Sequence, residues 1–319
     1  MKTNKAYIVV AALLGTVLMG CQKEEQIQPE ANPEVVKTWK LTVQVSKGAD
    51  DSDTSVDTKA MGISGSKLSS TWKVGEKVNV FLAGTCLGQL EVESTKNNGA
   101  QATLSGRIKV EGISENSDSP STLMLLFPGR DDEKWTYLGQ DGSAPSESGT
   151  MATGYDYSVK EISAYADTSE QEIKATVVSS SFASQQSVYR FGFKVGGTGD
   201  PIEVDSYTLT SNKNKLVREM VYSGGSWTSQ YGAISVTQND APAGNLYYMA
   251  IRNENDETTE ADRFTFTVVR SSDSALLEGY RDIPGSVLGN GKYLGASISV
   301  SQKTMAPAAG SISSVNAVL

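Results

Sequence analysis

The stretch "TWKLTVQV", Thr38–Val45, alternates apolar and polar side chains without interruption. Trp39, Leu41, Val43 and Val45 fall on one side of an extended chain, and the polar residues between them fall on the other. A period of two is the pattern of a β-strand with one buried and one wet face. Since no segment of this chain sustains apolar residues at helical spacing, the stretch predicts the class of the whole fold.

The same pattern recurs along the chain and predicts an all-β protein. Turn residues separate the runs, with Asn98-Gly99, Gly224-Gly225 and Gly289-Asn290-Gly291 at points where left-handed backbone is cheap. Ten further predicted strands are Lys77–Ala83, Leu87–Glu93, Ala102–Val110, Thr122–Phe127, Glu172–Val178, Tyr189–Val195, Ile202–Thr210, Asn245–Ile251, Arg263–Val269 and Tyr293–Val300.

A polar segment without a pattern, "SSSFASQQS" at Ser179–Ser187, divides the predicted strands into two series. We take it as the domain boundary and predict an N-terminal domain over 37–183 and a C-terminal domain over 184–319. Each has the ordinary size of an antiparallel sandwich.

The N-terminus predicts export. Lys2 and Lys5 precede an apolar run from Ala6 to Met19, which has the length of a signal-peptide core and is too short to span a bilayer. "LMGC" resembles the bacterial lipoprotein box, so we predict a signal peptide over 1–20 and acyl chains, such as palmitate, on Cys21. An ordinary secretory signal with a chance cysteine is the alternative.

The residues after Cys21 predict a surface anchor. "QKEE" is similar to the tag on lipoproteins that are carried to the outer face of the outer membrane, and 21–36, with its prolines, is predicted to be a tether. Beyond the signal, 26 basic and 37 acidic residues give a net charge of −11, which repels nucleic acid.

Composition excludes several kinds of site. The chain has no histidine, which removes Ser-His-Asp and Cys-His nucleophiles and His-ligated zinc. With Cys21 acylated, Cys86 is a lone thiol and an internal disulfide is impossible. We therefore predict a non-enzymatic protein without a metal or other cofactor.

Calcium binding is not indicated, but glycoside hydrolysis and sugar stacking stay open. The acidic clusters at Asp50–Asp53, Gly129–Lys134 and Asn253–Asp262 lack the spacing of a calcium loop and read as solvated hairpin tips. Paired carboxylates can hydrolyse glycosides without histidine, but no pair is indicated. The four tryptophans and thirteen tyrosines suit either sugar stacking or a sandwich core.

Several loose motifs follow one another along the chain. They are "LSSTWKVGEKVNVF" (Leu68–Phe81), Phe127-Pro128, "GQDGS" with "GYDYS" (Gly139–Ser158), "VYRFGFKV" (Val188–Val195) and "GKYLGASISV" (Gly291–Val300). Their order resembles that in the fimbrillin-like surface proteins of Bacteroides-type anaerobes, which are subunits of type V pili.

The resemblance implies maturation by strand exchange. In that family a trypsin-like protease cuts after a basic residue near the N-terminus, the first strand leaves, and a strand of another subunit fills the groove. Here the matching cut would follow Lys59, where the family more often has arginine; Lys47 is a weaker candidate. The resemblance makes the C-terminus the donor, and its partial alternation suits strand addition. The donor candidates are Ile312, Val315, Ala317 and Leu319. Packing of this segment as a last strand on its own domain is equally open.

We therefore predict two tandem antiparallel β-sandwich domains, transthyretin-like or Greek-key, in a structural or adhesive subunit of cell-surface fimbriae. Its predicted partners are other subunits or further copies of itself through strand exchange, the outer membrane through the lipid, and host or bacterial surface glycans or proteins. A glycan-binding lipoprotein tethered to the outer membrane is the alternative, and a hydrolase comes third.

Overall fold

The computed structural model describes residues 36–47, 61–64, 67–131, 134–145, 154–176, 181–238, 242–254, 261–285 and 288–303. Lys37–Leu319 form one compact unit. Within the described ranges no helix has the length and apolar character needed to cross a bilayer.

The predicted all-β class is confirmed, and each predicted strand coincides with an observed one. The strands of the N-terminal half are β1 Thr38–Lys47, β2 Met61–Ser64, β3 Lys67–Ser70, β4 Lys77–Leu82, β5 Thr85–Lys96, β6 Gln101–Lys109, β7 Ser121–Phe127, β8 Lys134–Thr136, β9 Ser158–Asp167, β10 Glu172–Thr176 and β11 Ser181–Ser184. Those of the C-terminal half are β12 Ser187–Val195, β13 Val204–Ser211, β14 Val217–Ser223, β15 Ser226–Tyr231, β16 Ile234–Thr237, β17 Leu246–Ile251, β18 Asp262–Arg270, β19 Leu276–Ile283 and β20 Tyr293–Gln302. A short 3-10 turn, Ala243–Asn245, precedes β17.

The first sheet is a closed ring of strands. Its order is β10-β1-β11-β9-β7-β4-β5-β6, and two additional pairings, β1 with β6 and β10 with β9, join its ends. β10 and β11 occupy successive positions beside β1, and both also pair with β9. Closure removes the free edges that a flat sheet would present.

The second large sheet has seven strands in the order β16-β13-β18-β19-β20-β12-β17. A smaller sheet has the order β15-β14-β8, so β8 of the N-terminal half pairs with the β14–β15 hairpin of the C-terminal half. The predicted purely antiparallel sheets are wrong on one point. β1 runs parallel to β10 and β11, and β12 runs parallel to β20. Alternation along one strand predicts its faces but carries no information on the direction of its neighbour.

Two hydrophobic cores lie in this unit. The core inside the closed ring is built from residues of the N-terminal half. It includes Trp39, Leu41 and Val43 of β1, each of which is no more than 3% exposed. The second core combines the inner face of the seven-stranded sheet with residues of the N-terminal half. Those residues are Phe81, Leu126, Trp135, Tyr137, Tyr155 and Tyr157.

Two polar segments differ from their predicted roles. Ser179–Ser187 was predicted to have no pattern, but it contains β11, whose Phe182 is buried because it packs against the Trp72 ring. Asp262 was predicted to lie on a solvated tip, but it is fully buried at the start of β18. Its carboxylate accepts hydrogen bonds from the Ser211 hydroxyl, the Lys213 amide and the Asn253 side chain, which replace water.

The tryptophans lie in the protein core and not on exposed loops where they could stack on sugars. Trp39, Trp72 and Trp135 are buried, and Trp227 is half-buried against Trp135. The predicted left-handed turns are also present, with positive φ at Asn98-Gly99 and at Gly224-Gly225.

Candidate functional site

The predicted site residues lie outside the described residues. This applies to the acylation candidate, the protease site and the whole C-terminal donor segment, namely Cys21, Lys59, Ile312, Val315, Ala317 and Leu319. The weaker cleavage candidate, Lys47, is the last residue of β1. The strand that the proposed cut would release is therefore the part of the site that the structure describes.

β1 is held by hydrogen bonding on both sides. On one side it pairs antiparallel with β6 in nine successive residue pairs, from Thr38↔Lys109 to Ser46↔Gln101. On the other side it pairs parallel with β10 near its start, at Leu41↔Ile173, and with β11 at its end, at Lys47↔Phe182. β1 thus completes the ring between β6 and the β10/β11 positions.

The inward face of β1 carries its contribution to stability. Trp39, Leu41, Val43 and Val45 are all buried, while Lys40, Thr42 and Gln44 between them are exposed. Burial of one such side chain stabilises a fold by about 1.5–3 kcal/mol, so the four contribute roughly 6–12 kcal/mol. That equals the whole stability of an ordinary domain, about 5–15 kcal/mol. Loss of β1 without a replacement would unfold the ring.

Polar contacts fix the register of β1 at its start. The Arg107 guanidinium donates to the carbonyl and, at 3.3 Å, to the hydroxyl of Thr38. The Val110 amide donates to the Lys37 carbonyl at 3.2 Å, and the Lys37 ammonium lies 4.4 Å from the centroid of the Trp39 ring. These contacts are all at the solvent-facing end of the strand, where a competing strand would displace them at little cost.

The groove that β1 fills is lined by residues that sequence reasoning did not single out. β6 contributes Ala102, Leu104 and Ile108, β10 contributes Ile173, and β11 contributes Phe182. The β-pattern of each strand was readable, but the convergence of β6 on β1 depends on pairings between residues that are 55 to 71 positions apart in the chain. No single-strand pattern carries that information.

The tryptophan of the "LSSTWKVGEKVNVF" motif belongs to the wall of this groove. The Trp72 ring makes edge-on contacts with Phe127 at 5.2 Å and with Phe182 of β11 at 5.0 Å. Gly75 has φ +89°, and the Glu76 carboxylate accepts a hydrogen bond from the Lys73 amide at 2.9 Å in the turn before β4. The motif is therefore a core contact and a tight turn, and it supports the strand beside β1.

A separate surface feature is the exposed ring of Tyr280 on β19. This side chain is 58% exposed, and the Arg263 guanidinium lies 4.1 Å from the ring centroid. Arg263 also forms a two-point ion pair with Asp282, at 2.7 and 2.9 Å, so its position over the ring is fixed. The guanidinium covers one face of the ring, and the rest of the ring is open to solvent.

Metal binding has no support in the described ranges, where no group of three or more acidic, cysteine or histidine side chains comes together. The acidic clusters at Asp50–Asp53 and most of Asn253–Asp262 lie outside those ranges.

No protein-family model matches the chain, and no curated protein matches it in sequence. Among solved structures, it is similar to a candidate cell adhesion protein from Bacteroides uniformis, with 14% identity, TM-score 0.41, and coverage of 83% of this chain and 97% of that one. It is also similar to a candidate cell adhesion protein from Bacteroides ovatus, with 12% identity, TM-score 0.37, and coverage of 75% and 90%. A mutant of the shaft pilin SpaA from Lactobacillus rhamnosus GG matches with 10% identity, TM-score 0.31, and coverage of 85% and 100%. TM-scores this low do not establish a shared fold.

Proposed function

We propose that this chain is a structural or adhesive subunit of cell-surface fimbriae. It is exported as a lipoprotein through residues 1–20, anchored to the outer membrane by Cys21 and a tether over 21–36, and built from two sandwich domains, 37–183 and 184–319. Subunits assemble by strand exchange after proteolytic removal of the N-terminal strand. Its role is structural and non-enzymatic, and its partners are other subunits or copies of itself.

One observation carries this proposal: β1, the first strand of the described residues, completes a closed ring. Because β1 supplies both a nine-pair ladder and four buried side chains, its removal opens a groove with unpaired backbone on β6. An open groove of this kind binds an extended strand from another chain, which supplies ladder hydrogen bonds and alternate apolar side chains. Head-to-tail donation does not close on itself, so it produces a filament.

The cleavage point and the donor strand are the finer parts of the proposal. A cut after Lys59 lies in the connection between β1, which ends at Lys47, and β2, which starts at Met61. Such a cut would sever β1 from the rest of the ring without breaking any described strand. The donor would be the segment over 304–319, with Ile312, Val315, Ala317 and Leu319 replacing the buried positions of β1.

Limited trypsin digestion of the purified full chain tests the proposal. We expect a first cut that creates a new N-terminus at Ala60, release of the fragment that contains β1, and a ladder of oligomers on size-exclusion chromatography. Mass spectrometry of the products identifies the cut.

Three variants separate the steps. Lys59→Ala should stay uncut at this position and should form no ladder of oligomers, whereas Lys47→Ala should behave as the wild type. A chain that ends at Lys303 should be cut but should not form ladders, because it has no donor. Cleavage after Lys59 without a ladder of oligomers, or no cleavage near Lys59, would contradict the proposal.

A second candidate function is glycan binding, which the exposed Tyr280 ring favours. Binding of the full chain to a glycan array, lost in Tyr280→Ala and kept in Tyr231→Ala, would support it. A protein that stays intact and forms no ladder on protease treatment but binds glycans would favour this function over the fimbrial one.

A further inference from the structure

The outer edge of β15 is an open sheet edge. β14 and β15 form a hairpin closed by Gly224-Gly225, and their pairing places Ser226 opposite Ser223 and Thr228 opposite Val221. The Gly232 amide donates to the Leu216 carbonyl at 3.0 Å, so 226, 228, 230 and 232 direct their backbone groups toward β14. By alternation, Trp227, Ser229 and Tyr231 direct theirs away from it. β15 is the last strand of its sheet, and the described part of the chain offers these outward groups no backbone partner.

β17 has the same length and shows how an edge of this fold is otherwise protected. The Gln140 side chain accepts from the Ala250 amide at 2.7 Å and donates to the Ala250 carbonyl at 2.9 Å. The Tyr248 amide donates to the Gly142 carbonyl at 2.9 Å, and the Tyr207 hydroxyl donates to the Tyr248 carbonyl at 3.3 Å. All four outward groups of Tyr248 and Ala250 are satisfied, whereas the corresponding groups of β15 have no backbone partner among the residues that the structure describes.

The sequence of β15 carries none of the usual protection of an open edge. "SWTSQY" has no charged residue and no proline, the two commonest means by which edge strands avoid pairing with other chains. One face of the strand is aromatic, since Trp227 packs 4.5 Å from Trp135 and 5.0 Å from Tyr222, and Tyr231 is 38% exposed. An unprotected edge beside aromatic side chains favours an incoming strand over water.

We propose that β15 is a homodimer interface, in which the β15 strands of two copies pair antiparallel about a two-fold axis at Ser229. In this register Trp227 of one copy lies opposite Tyr231 of the other, Ser229 lies opposite Ser229, and Tyr231 lies opposite Trp227. It is the register that engages all three outward residues at once. The dimer joins the two small sheets into one sheet of six strands.

The strand itself identifies a second copy as the occupant. Its outward residues read the same from either end in chemical type, aromatic, serine and aromatic, so two identical strands form two aromatic cross-strand pairs. The strand itself carries no charge. The Glu254 carboxylate, which accepts hydrogen bonds from the Ser229 and Tyr231 side chains, is paired with the Arg252 guanidinium at 2.9 Å, and this offsets its charge at the interface. A two-fold contact of this kind closes on itself and gives a dimer, not a filament. The pairing is therefore lateral and independent of proteolytic maturation.

Charge substitutions at the exposed neighbours Thr228 and Gln230 test the register. In the proposed dimer Thr228 of one copy lies opposite Gln230 of the other, twice. Thr228→Lys with Gln230→Lys places like charges opposite each other at both positions, whereas Thr228→Lys with Gln230→Glu places opposite charges there. The two double variants share their positions and their exposure, so they are matched controls for each other.

Sedimentation equilibrium of the undigested full chain over a concentration series gives the dimer dissociation constant. We expect a reversible wild-type dimer. The Lys/Lys variant should raise the dissociation constant on the order of tenfold or more, and the Lys/Glu variant should leave it unchanged or lower it. Within one chain, position 230 lies opposite Glu219, so the intrachain effect of the Lys and Glu substitutions has the opposite sign. A loss of folding that arose from this cross-strand pair would fall on the Lys/Glu variant, which is the opposite of the expected result.

A monomeric wild type, or a dimer that responds equally to both double variants, would overturn the proposal. A chain that ends at Lys303 should still dimerise. If deletion of 304–319 abolishes the dimer and the Lys/Lys variant does not, then the C-terminal segment and not β15 forms the contact, and the proposal is wrong.

Discussion

At the scale of single residues, two glycine turns join the halves of the molecule through their backbones. The turn Ala83-Gly84 connects β4 to β5, and Gly224-Gly225 connects β14 to β15, with positive φ at all four residues. A Cβ atom at Gly84 would lie 1.8 Å from the Gly225 amide nitrogen, whereas one at Gly224 would meet nothing within 4 Å. Only glycine at position 84 allows the two hairpins to approach this closely.

The two glycines therefore respond differently to alanine. Gly224→Ala meets only the cost of a left-handed alanine, about 1–2 kcal/mol. Gly84→Ala meets that cost and must also push two backbones apart, which adds roughly 1–3 kcal/mol. Urea denaturation of both variants measures the difference. Equal destabilisation would show that the hairpin contact contributes nothing.

Glu254 is the centre of a polar network beside β15. Its carboxylate accepts hydrogen bonds from the Tyr231 hydroxyl at 2.6 Å, the Arg252 guanidinium at 2.9 Å and the Ser229 hydroxyl at 3.1 Å. Burial by itself would raise the pKa of this carboxyl, but the hydrogen bonds from Tyr231 and Arg252 outweigh it and hold the pKa below its ordinary value of 4.5.

Because the pKa of Glu254 is lowered in the folded state, the free energy of unfolding depends on pH. The Glu254 carboxylate stabilises the fold above pH 4.5, and this contribution is lost as the pH falls below that value toward the lowered folded pKa. We expect the free energy of unfolding of Glu254→Gln to be lower than that of the wild type at pH 6 and to approach it at pH 3. Chemical denaturation across this range measures it, with Glu111→Gln, an exposed carboxylate, as the control for charge loss. A difference in the free energy of unfolding between the wild type and Glu254→Gln that is the same at pH 3 and pH 6 would contradict this role of the network.

At the scale of elements, the edge of β17 depends on one side chain from the other half. Gln140 is buried and hydrogen-bonds both backbone groups of Ala250, as well as the Tyr137 carbonyl at 2.8 Å. Its amide takes the place of a peptide group in a neighbouring strand. The N-terminal half thereby supplies the hydrogen bonds that would otherwise come from an eighth strand.

Gln140→Ala should expose this edge. Two buried backbone groups of Ala250 lose their partners, which destabilises the fold by roughly 2–6 kcal/mol at 1–3 kcal/mol for each. Amide hydrogen exchange should accelerate at Ala250, while the Met249 amide, which faces β12, serves as the internal control. If both amides accelerate together, global unfolding and not edge exposure is the cause.

The strands that sequence reasoning found and missed differ in the residues at their buried positions. β1, β12 and β18 carry large apolar residues at every second position and were recovered. β9 alternates in burial just as regularly, but its inward positions include Ser158, Lys160, Ala164 and Ala166. Its sequence therefore does not alternate between large apolar and polar residues. β15 was missed because it buries only part of one face. The sequence pattern that predicts a strand is the alternation of large apolar residues with polar ones. This pattern weakens where small or polar residues occupy the buried positions.

At the scale of the whole molecule, the second core makes the two halves interdependent. Trp135 of β8 stacks on Tyr157 at 4.9 Å and lies 4.5 Å from Trp227 of β15, and it is buried. Residues from both halves thus share one packed aromatic cluster. A core of this kind cannot be lost in one half without exposing apolar surface of the other.

We therefore expect Lys37–Leu319 to unfold in one cooperative transition. Trp135→Ala should lower the midpoint of that single transition and destabilise the fold by about 3–5 kcal/mol. Differential scanning calorimetry measures both. Val74→Ala, at an exposed position, is the control and should leave the midpoint near that of the wild type. Two separate transitions, of which Trp135→Ala shifts only one, would contradict the shared core.

The amino-acid sequence by itself determined the all-β class, the position of the strongly alternating strands and the face of β1 that Trp39 shares, because alternation is a local property. It left Trp72 and Trp135 open between sugar stacking and the core. The tertiary structure alone decided that β1 closes a ring between β6 and β10/β11, that Gln140 covers β17 and that the edge of β15 is open. Those features depend on which strand lies beside which. A period-two pattern specifies the face that a strand buries, but it leaves the neighbour and its direction to long-range packing.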